Sequence, residues 1–166
     1  ASRALVEVVS KSDRTYMMAE NWVYEPTVVR ARSLYEEKKL GKIYYAEAEY
    51  IHGLKALRHH PDGRPTWRNS LAPLLYPTHG TSPYIQMTGD RFVEVTAVAS
   101  SGREAFQEGY EADWMQTAFF RTENGAIFRL MNSFENVHGM SHFLSFFLQT
   151  VSCVLPPMLI FEFHPI

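Results

Sequence analysis

Two apolar runs, residues 115–121 and 126–132, flank Glu123-Asn124-Gly125. Asn-Gly between runs that alternate apolar and polar side chains is the strongest short-range signal for a β-hairpin, because these residues accept the positive φ that such turns need. A lone hairpin is only marginally stable in water, so this one demands more strands beside it and a layer over one face. The sequence supplies them. Residues 92–99 (FVEVTAVA) and 141–150 read as strands. Residues 42–52 (KIYYAEAEYIH) read as a half-buried strand, with Ile43/Tyr45 set against Tyr44 and then Glu47/Glu49 against Ala48/Tyr50.

Ahead of these strands the chain alternates. Leu5, Val6, Val8 and Val9 have helical spacing. Residues 15–19 (TYMMA) form a short apolar run that reads as a buried strand and delivers Glu20 and Asn21 to its end. Pro26 suits the first turn of a helix whose apolar face runs to about Leu40, with Gly41 as its stop. His59 to Pro65 is a loop by its turn chemistry, and a further helix should begin near Thr78 and end at Gly89. Alternation followed by consecutive strands predicts an α+β fold with a mostly antiparallel sheet.

Composition narrows the chemistry. Hydrophobic residues at 46% and charged residues at 20% support a packed core, and aromatics at 14% suit strands or an aromatic-lined cleft. A formal charge of -2 offers no basic surface, so no nucleic-acid partner is expected. Cys153 is the only cysteine, which excludes an intrachain disulfide and a cysteine zinc site. His59 and His60 are adjacent in a Pro/Gly loop, without ligand spacing, so no metal site is expected. There is no Gly-x-Ser-x-Gly and no Gly-x-Gly-x-x-Gly, so these residues alone cannot build a nucleophile elbow or a dinucleotide site. Residues 1–13 carry Arg3, Glu7 and Lys11 and no apolar leader core; the compartment stays open, with the cytoplasm favoured. Residues 143–163 approach membrane-spanning length, but Gln149 and Pro156-Pro157 interrupt them, and a buried strand followed by an irregular tail is expected instead of a span.

Three places could carry chemistry. Tyr76 and His79 are three apart with Pro77 between them, a rigid turn that would hold an imidazole while leaving it reachable. The competing reading makes Thr78 a helix N-cap and His79 an ordinary first-turn residue. Tyr50 and His52 are two apart on a strand and face one side; with Glu47 and Glu49 they could flank a polar ligand, or the glutamates could simply be solvated. Glu20 and Asn21 follow a strand, where ligands of open α/β sheets lie, although Asn21 could merely cap a turn.

Residues 15–43, residues 44–55, and Trp67-Arg68 with residues 75–102 together resemble the glucose-fructose oxidoreductase / inositol dehydrogenase / MocA oxidoreductases. The likeness spans residues 4–136. It implies a second domain with helices on one face of a large open sheet, whose other face builds homo-oligomers. Residues 1–22 would be a last helix-strand remnant of a nucleotide-binding domain, residues 23–147 the substrate-binding and oligomerisation domain, and residues 148–166 an atypical apolar tail. The family's Glu-Lys-Pro motif would lie just before Ala1, and the chain looks truncated at both ends. The likeness implies His79 and Tyr50 as catalytic, His52, Tyr76, Trp67 and Arg68 as substrate-binding, and Glu20 and Asn21 as cofactor-binding. NAD or NADP would serve the full-length parent, with none bound by this chain alone. The position four residues before His79, where many family dehydrogenases carry Asp, holds Leu75. Tyr76-Pro-Thr-His79 with Tyr50 and His52 resembles instead a branch that includes NAD-dependent α-N-acetylgalactosaminidases. Three functions follow as expectations: the substrate half of an oxidoreductase acting on a sugar or polyol hydroxyl, an NAD-dependent glycosidase, or a non-catalytic interaction module.

Overall fold

The computed structural model describes residues 2–100, 112–134, 141–148, 151–155 and 164–165. In chain order its elements are α1 (Ser2–Ser10), α2 (Pro26–Glu36), β1 (Ile43–Ile51), α3 (Thr78–Thr88), β2 (Phe92–Ala99), β3 (Met115–Thr122), β4 (Ile127–Ser133), β5 (Ser141–Leu148), β6 (Val151–Leu155) and β7 (His164–Pro165). Short 3-10 turns at Trp22–Tyr24, Lys55–Leu57, Trp67–Ser70 and Pro73–Leu75 join them.

The strands form one seven-stranded sheet in the order β2-β3-β4-β1-β5-β6-β7. Every pairing is antiparallel except β1 with β4. The β3–β4 hairpin forms where Asn124-Gly125 predicts it. Its loop is a three-residue Glu123-Asn124-Gly125 turn in which Gly125 alone has positive φ, +83°, and donates to the Thr122 carbonyl. The extra residue makes it a turn followed by a left-handed glycine, not a two-residue mirror-image turn.

One face of the sheet packs under α2 and α3. Ala46 and Ala48 of β1, Phe128 and Leu130 of β4, and Leu144, Phe146 and Leu148 of β5 meet Ala31 and Leu34 of α2 and Tyr84 and Met87 of α3. Burial of each large side chain here is worth about 1.5–3 kcal/mol. Tyr84 is fully buried, and its hydroxyl donates to Asp90 at 3.0 Å. A bulge between Ile43 and Tyr45 switches the phase of β1, so Ile43 is buried and the inward set then becomes Ala46, Ala48 and Tyr50.

Gly80 lets α3 approach closely: a Cβ there would stand 2.4 Å from Leu130 Cδ1 and 3.2 Å from Ala48 Cβ. The close approach sets the first turn of α3 directly against the sheet.

Three expectations need correction. Residues 15–19 form no strand, and Tyr16, Met17 and Met18 are exposed; none of the described strands lies beside them, and a strand without a ladder has nothing to satisfy its backbone. Helix α2 ends at Glu36 instead of near Leu40. Lys38 takes the left-handed φ of +58°, and the Lys38 and Lys39 N–H groups bond back to the Tyr35 and Leu34 carbonyls, a Schellman closure reached before Gly41. Part of the tail is ordered as sheet, since β6 pairs with β5; Gln149 and Pro156-Pro157 lie outside the described residues. Among the described residues no helix is long and apolar enough to cross a membrane.

Candidate functional site

The site grows from the segment that joins β1 to α3. Thr66 accepts from the Arg68 N–H and starts the Trp67–Ser70 turn. The next turn, Pro73–Leu75, is stapled to the sheet from beneath. The Asn132 side-chain amide donates to the Pro73 carbonyl at 2.9 Å and the Tyr76 carbonyl at 2.8 Å. Gln116 Oε1 accepts from the Leu74 N–H at 2.8 Å and is itself held by Asp113. Pro77, not Thr78, occupies the N-cap of α3, so Tyr76 and His79 leave a rigid corner side by side.

Four rings converge there. The centroid of Tyr50 lies 5.8 Å from His52, 5.4 Å from Tyr76 and 5.2 Å from His79. Tyr76 Oη and His79 Nε2 are 3.3 Å apart. The far side of the imidazole meets Glu20: Nδ1 is 3.0 and 3.1 Å from the two carboxylate oxygens. The Glu20 carboxylate also accepts the Trp22 N–H at 3.0 Å and bonds the Thr78 side chain. Burial pushes the Glu20 carboxyl up, but those bonds and the neighbouring imidazole outweigh it and hold the group below its ordinary range. Burial chiefly, with Tyr76 and Glu20 adding, pushes the Tyr50 phenol up to about 12, while Arg68 pulls the other way. Tyr50 therefore keeps its proton at neutral pH.

Beside these rings opens a cleft of about 110 Å³, lined by Tyr50, His52, Leu54, Leu57, Trp67, Arg68, Leu71, Tyr76 and Phe134. Trp67 is 59% exposed at its rim, and the Arg68 guanidinium lies 4.3 Å over its ring. Five sequence-predicted residues thus share one cleft: Tyr50, His52, Tyr76, Trp67 and Arg68. His79 stands behind the wall, with a side chain only 15% exposed. Asn21 is exposed and caps the Trp22–Tyr24 turn without a side-chain bond. Glu47 and Glu49 are separated from the cluster. They lie on the opposite face of the sheet, paired with Arg129 at 2.8 and 3.0 Å, because alternation along β1 sends them away from Tyr50.

Sequence reasoning missed the apolar lining, Leu54, Leu57, Leu71 and Phe134, and the staple residues Gln116 and Asn132. Asn132 could have been found: it shares the inward phase of Phe128 and Leu130, and a polar group at an inward position needs a partner.

The sequence has no glycine loop to cradle phosphates, and Glu20, expected at the cofactor, is engaged by His79. Among the described residues no group of three or more His, Cys, Asp or Glu could hold a metal ion.

Comparison with known proteins bears on the fold. No family model matches the chain. A glycosyl hydrolase family 109 protein of Saccharopolyspora erythraea is 24% identical over 155 residues, which cover 80% of this chain and 34% of the relative. An alpha-N-acetylgalactosaminidase of Shewanella oneidensis is 29% identical over 105 residues, covering 58% of this chain and 23% of the relative. The chain thus spans about a third of the length of these relatives, or less. Among solved structures, a levoglucosan dehydrogenase in complex with NADH and levoglucosan superimposes with a TM-score of 0.74 at 21% identity, over 93% of this chain and 44% of that one. An inositol dehydrogenase homolog complexed with NAD+ from Azotobacter vinelandii gives 0.74 at 14% identity, over 98% and 46%. The chain resembles glycosyl hydrolase family 109 proteins in sequence, and it carries the α+β fold of the second domain of the glucose-fructose oxidoreductase / inositol dehydrogenase / MocA oxidoreductases.

Proposed function

We propose that this chain is the substrate-binding half of an NAD(P)-dependent oxidoreductase acting on a sugar or polyol hydroxyl. The observation that carries the reading is the run of hydrogen-bonding groups from Glu20 through His79 to Tyr76, ending at a small aromatic cleft. A sugar ring stacks on Trp67, while Arg68, His52 and the protonated Tyr50 offer hydrogen bonds to its hydroxyls. His79 serves as the base for the reacting hydroxyl through Tyr76, which lines the cleft, and the buried Glu20 carboxylate stabilises the imidazolium that results. The nucleotide, NAD or NADP, is held by residues outside these 166. The neighbours' names support this class: one is a levoglucosan dehydrogenase bound to NADH and its sugar.

A second reading is favoured by the sequence relatives, one of them an alpha-N-acetylgalactosaminidase. There the same cleft holds an N-acetylated glycoside. Both readings include self-association through the open sheet face, and residues 1–22 as the junction with a nucleotide-binding unit.

The test is direct. Sugars and polyols are titrated into the chain and followed by the indole N–H resonance of Trp67. Weak saturable shifts with some sugars, lost in Arg68→Ala, are expected; no response across neutral sugars, amino sugars and polyols overturns the proposal. Oxidation of the free hydroxyl against release of an aglycone, in a protein that joins these residues to a nucleotide-binding unit, separates the two readings.

A further inference from the structure

Glu20 sits where a cofactor contact was expected, yet its carboxylate faces the imidazole across fifty-nine residues of chain. Both its oxygens lie within 3.1 Å of His79 Nδ1, and its side chain is only 9% exposed. Two further donors, the Trp22 N–H and the Thr78 hydroxyl, fix it in place. Trp22 also leans on the imidazole, ring centroids 5.7 Å apart, so the ring cannot turn away freely.

The chemistry of these partners dictates where protons sit. An ionised carboxylate only accepts, so the nitrogen facing it must carry hydrogen. In neutral His79 the proton is then on Nδ1, and Nε2 is left as an acceptor. The group 3.3 Å from Nε2 is the Tyr76 hydroxyl, which must donate to it. A phenol that has given its one hydrogen to the imidazole presents only lone pairs elsewhere. Tyr76 lines the cleft, while His79 is not part of its wall.

We propose that Glu20 is a positioning residue that locks His79 in the Nδ1–H tautomer and thereby makes Tyr76 a hydrogen-bond acceptor toward the cleft. The identity of the ligand rests on the reading of the cleft as a hydroxyl site; the lock itself does not. With a hydroxyl in the cleft, the ligand O–H donates to Tyr76 Oη. When the ligand loses its proton, that proton passes to Oη as the Tyr76 proton passes to Nε2. The O–H electron pair stays on the ligand oxygen, and the imidazolium remains paired with Glu20. His79 acts through Tyr76, which is the group that touches the ligand.

The experiment uses the chain alone, labelled with 15N, and long-range proton–nitrogen correlations that report which imidazole nitrogen is protonated. At alkaline pH, with His79 neutral, the expected result is a pyrrole-type signal at Nδ1 and a pyridine-type signal at Nε2. Glu20→Ala is expected to exchange the two or mix them. Tyr76→Phe is expected to leave Nδ1 protonated, since Glu20 sets the tautomer. A wild-type spectrum with Nε2 protonated overturns the proposal, as does Glu20→Ala keeping the wild-type pattern in a folded protein. So does Tyr76→Phe switching the tautomer, because the lock would then come from the phenol. Should Glu20→Ala not fold, the wild type and Tyr76→Phe still decide. No sugar or nucleotide is present, so failure of the sugar-site reading leaves this result standing, and failure of the lock leaves sugar binding to be judged by its own titration.

Discussion

Asn132, in the inward phase of β4, donates its side-chain amide to the main-chain carbonyl of Tyr76 at 2.8 Å. Strand β4 is paired on both sides, with β1 and β3, so this bond ties the corner that carries Tyr76 and His79 to the middle of the sheet. It also answers a chemical need, since a turn packed over a sheet must find partners for its carbonyls.

Asn132→Ala removes the donor to both Pro73 and Tyr76 carbonyls at once. The Pro73 carbonyl keeps the Tyr76 N–H at 3.1 Å, but leaving the Tyr76 carbonyl without its donor costs about 1–3 kcal/mol, and a loss of about 1 kcal/mol or more is expected in urea unfolding. The rings of Tyr76 and His79 should lose their fixed contacts as well, read as averaging of their side-chain resonances. A loss below about 0.5 kcal/mol, the range of an ordinary surface change, would sink the staple.

Gly80→Ala sets two effects against each other. In a helix, alanine is worth about 1 kcal/mol more than glycine. Against that, the new methyl would stand 2.4 Å from Leu130 Cδ1, and Leu130 is fully buried and cannot swing aside. Overpacking costs about 1–3 kcal/mol, so net destabilisation is expected. In a Leu130→Ala background the added cost of Gly80→Ala should shrink or reverse. Additive behaviour of the two changes in a double-mutant cycle would show that helix approach is not what glycine serves here.

These two residues also show what was legible in the sequence. Strand β2 and helix α3 were readable almost to the residue, because period-two alternation and the left-handed Gly89 are local signals. The end of α2 was not, because Lys38 adopted a conformation that glycine usually supplies. The parallel pairing of β1 with β4 joins strands far apart in the chain, and no local pattern encodes it. The same holds for the site. Tyr50 with His52 and Tyr76 with His79 were legible as neighbours two and three apart. The Glu20–His79 pair and the Asn132 staple are long-range contacts that only the packing reveals.

Tyr50 gives a pH prediction with a definite sign. Its pKa is raised by burial from an ordinary value of about 10 to about 12. The folded state therefore holds this proton more tightly than the unfolded chain. The stability it contributes is full below about pH 10 and is lost as pH rises through about 12. Tyr84, also raised by burial, adds to the same alkaline decline. Tyr50→Phe should flatten part of that decline and leave the part owed to Tyr84. Urea midpoints compared near about pH 9 and about pH 11.5 measure it, and an unchanged slope in the variant would contradict the assignment.

The sheet face turned away from the helices gives the last prediction. Arg129 is held between Glu47 and Glu49, with Tyr45 donating to Glu47, so its charge is answered within the face. Around that network Phe119 is 47% exposed and Ile127 40%, with Val98 of β2 also open to solvent. An apolar face with its charges already paired suits a second copy of itself, and a closed two-fold dimer is the commonest solution. Strand β6 does not cover this face; it extends the sheet edgewise beside β5. Dimerisation at micromolar concentration in sedimentation is therefore expected. Phe119→Lys should give a monomer while leaving urea stability within about 0.5 kcal/mol, because the side chain is exposed and makes no core contact. A wild-type chain that sediments as a clean monomer, or a Phe119→Lys variant that remains dimeric, would place any self-association elsewhere than on this face.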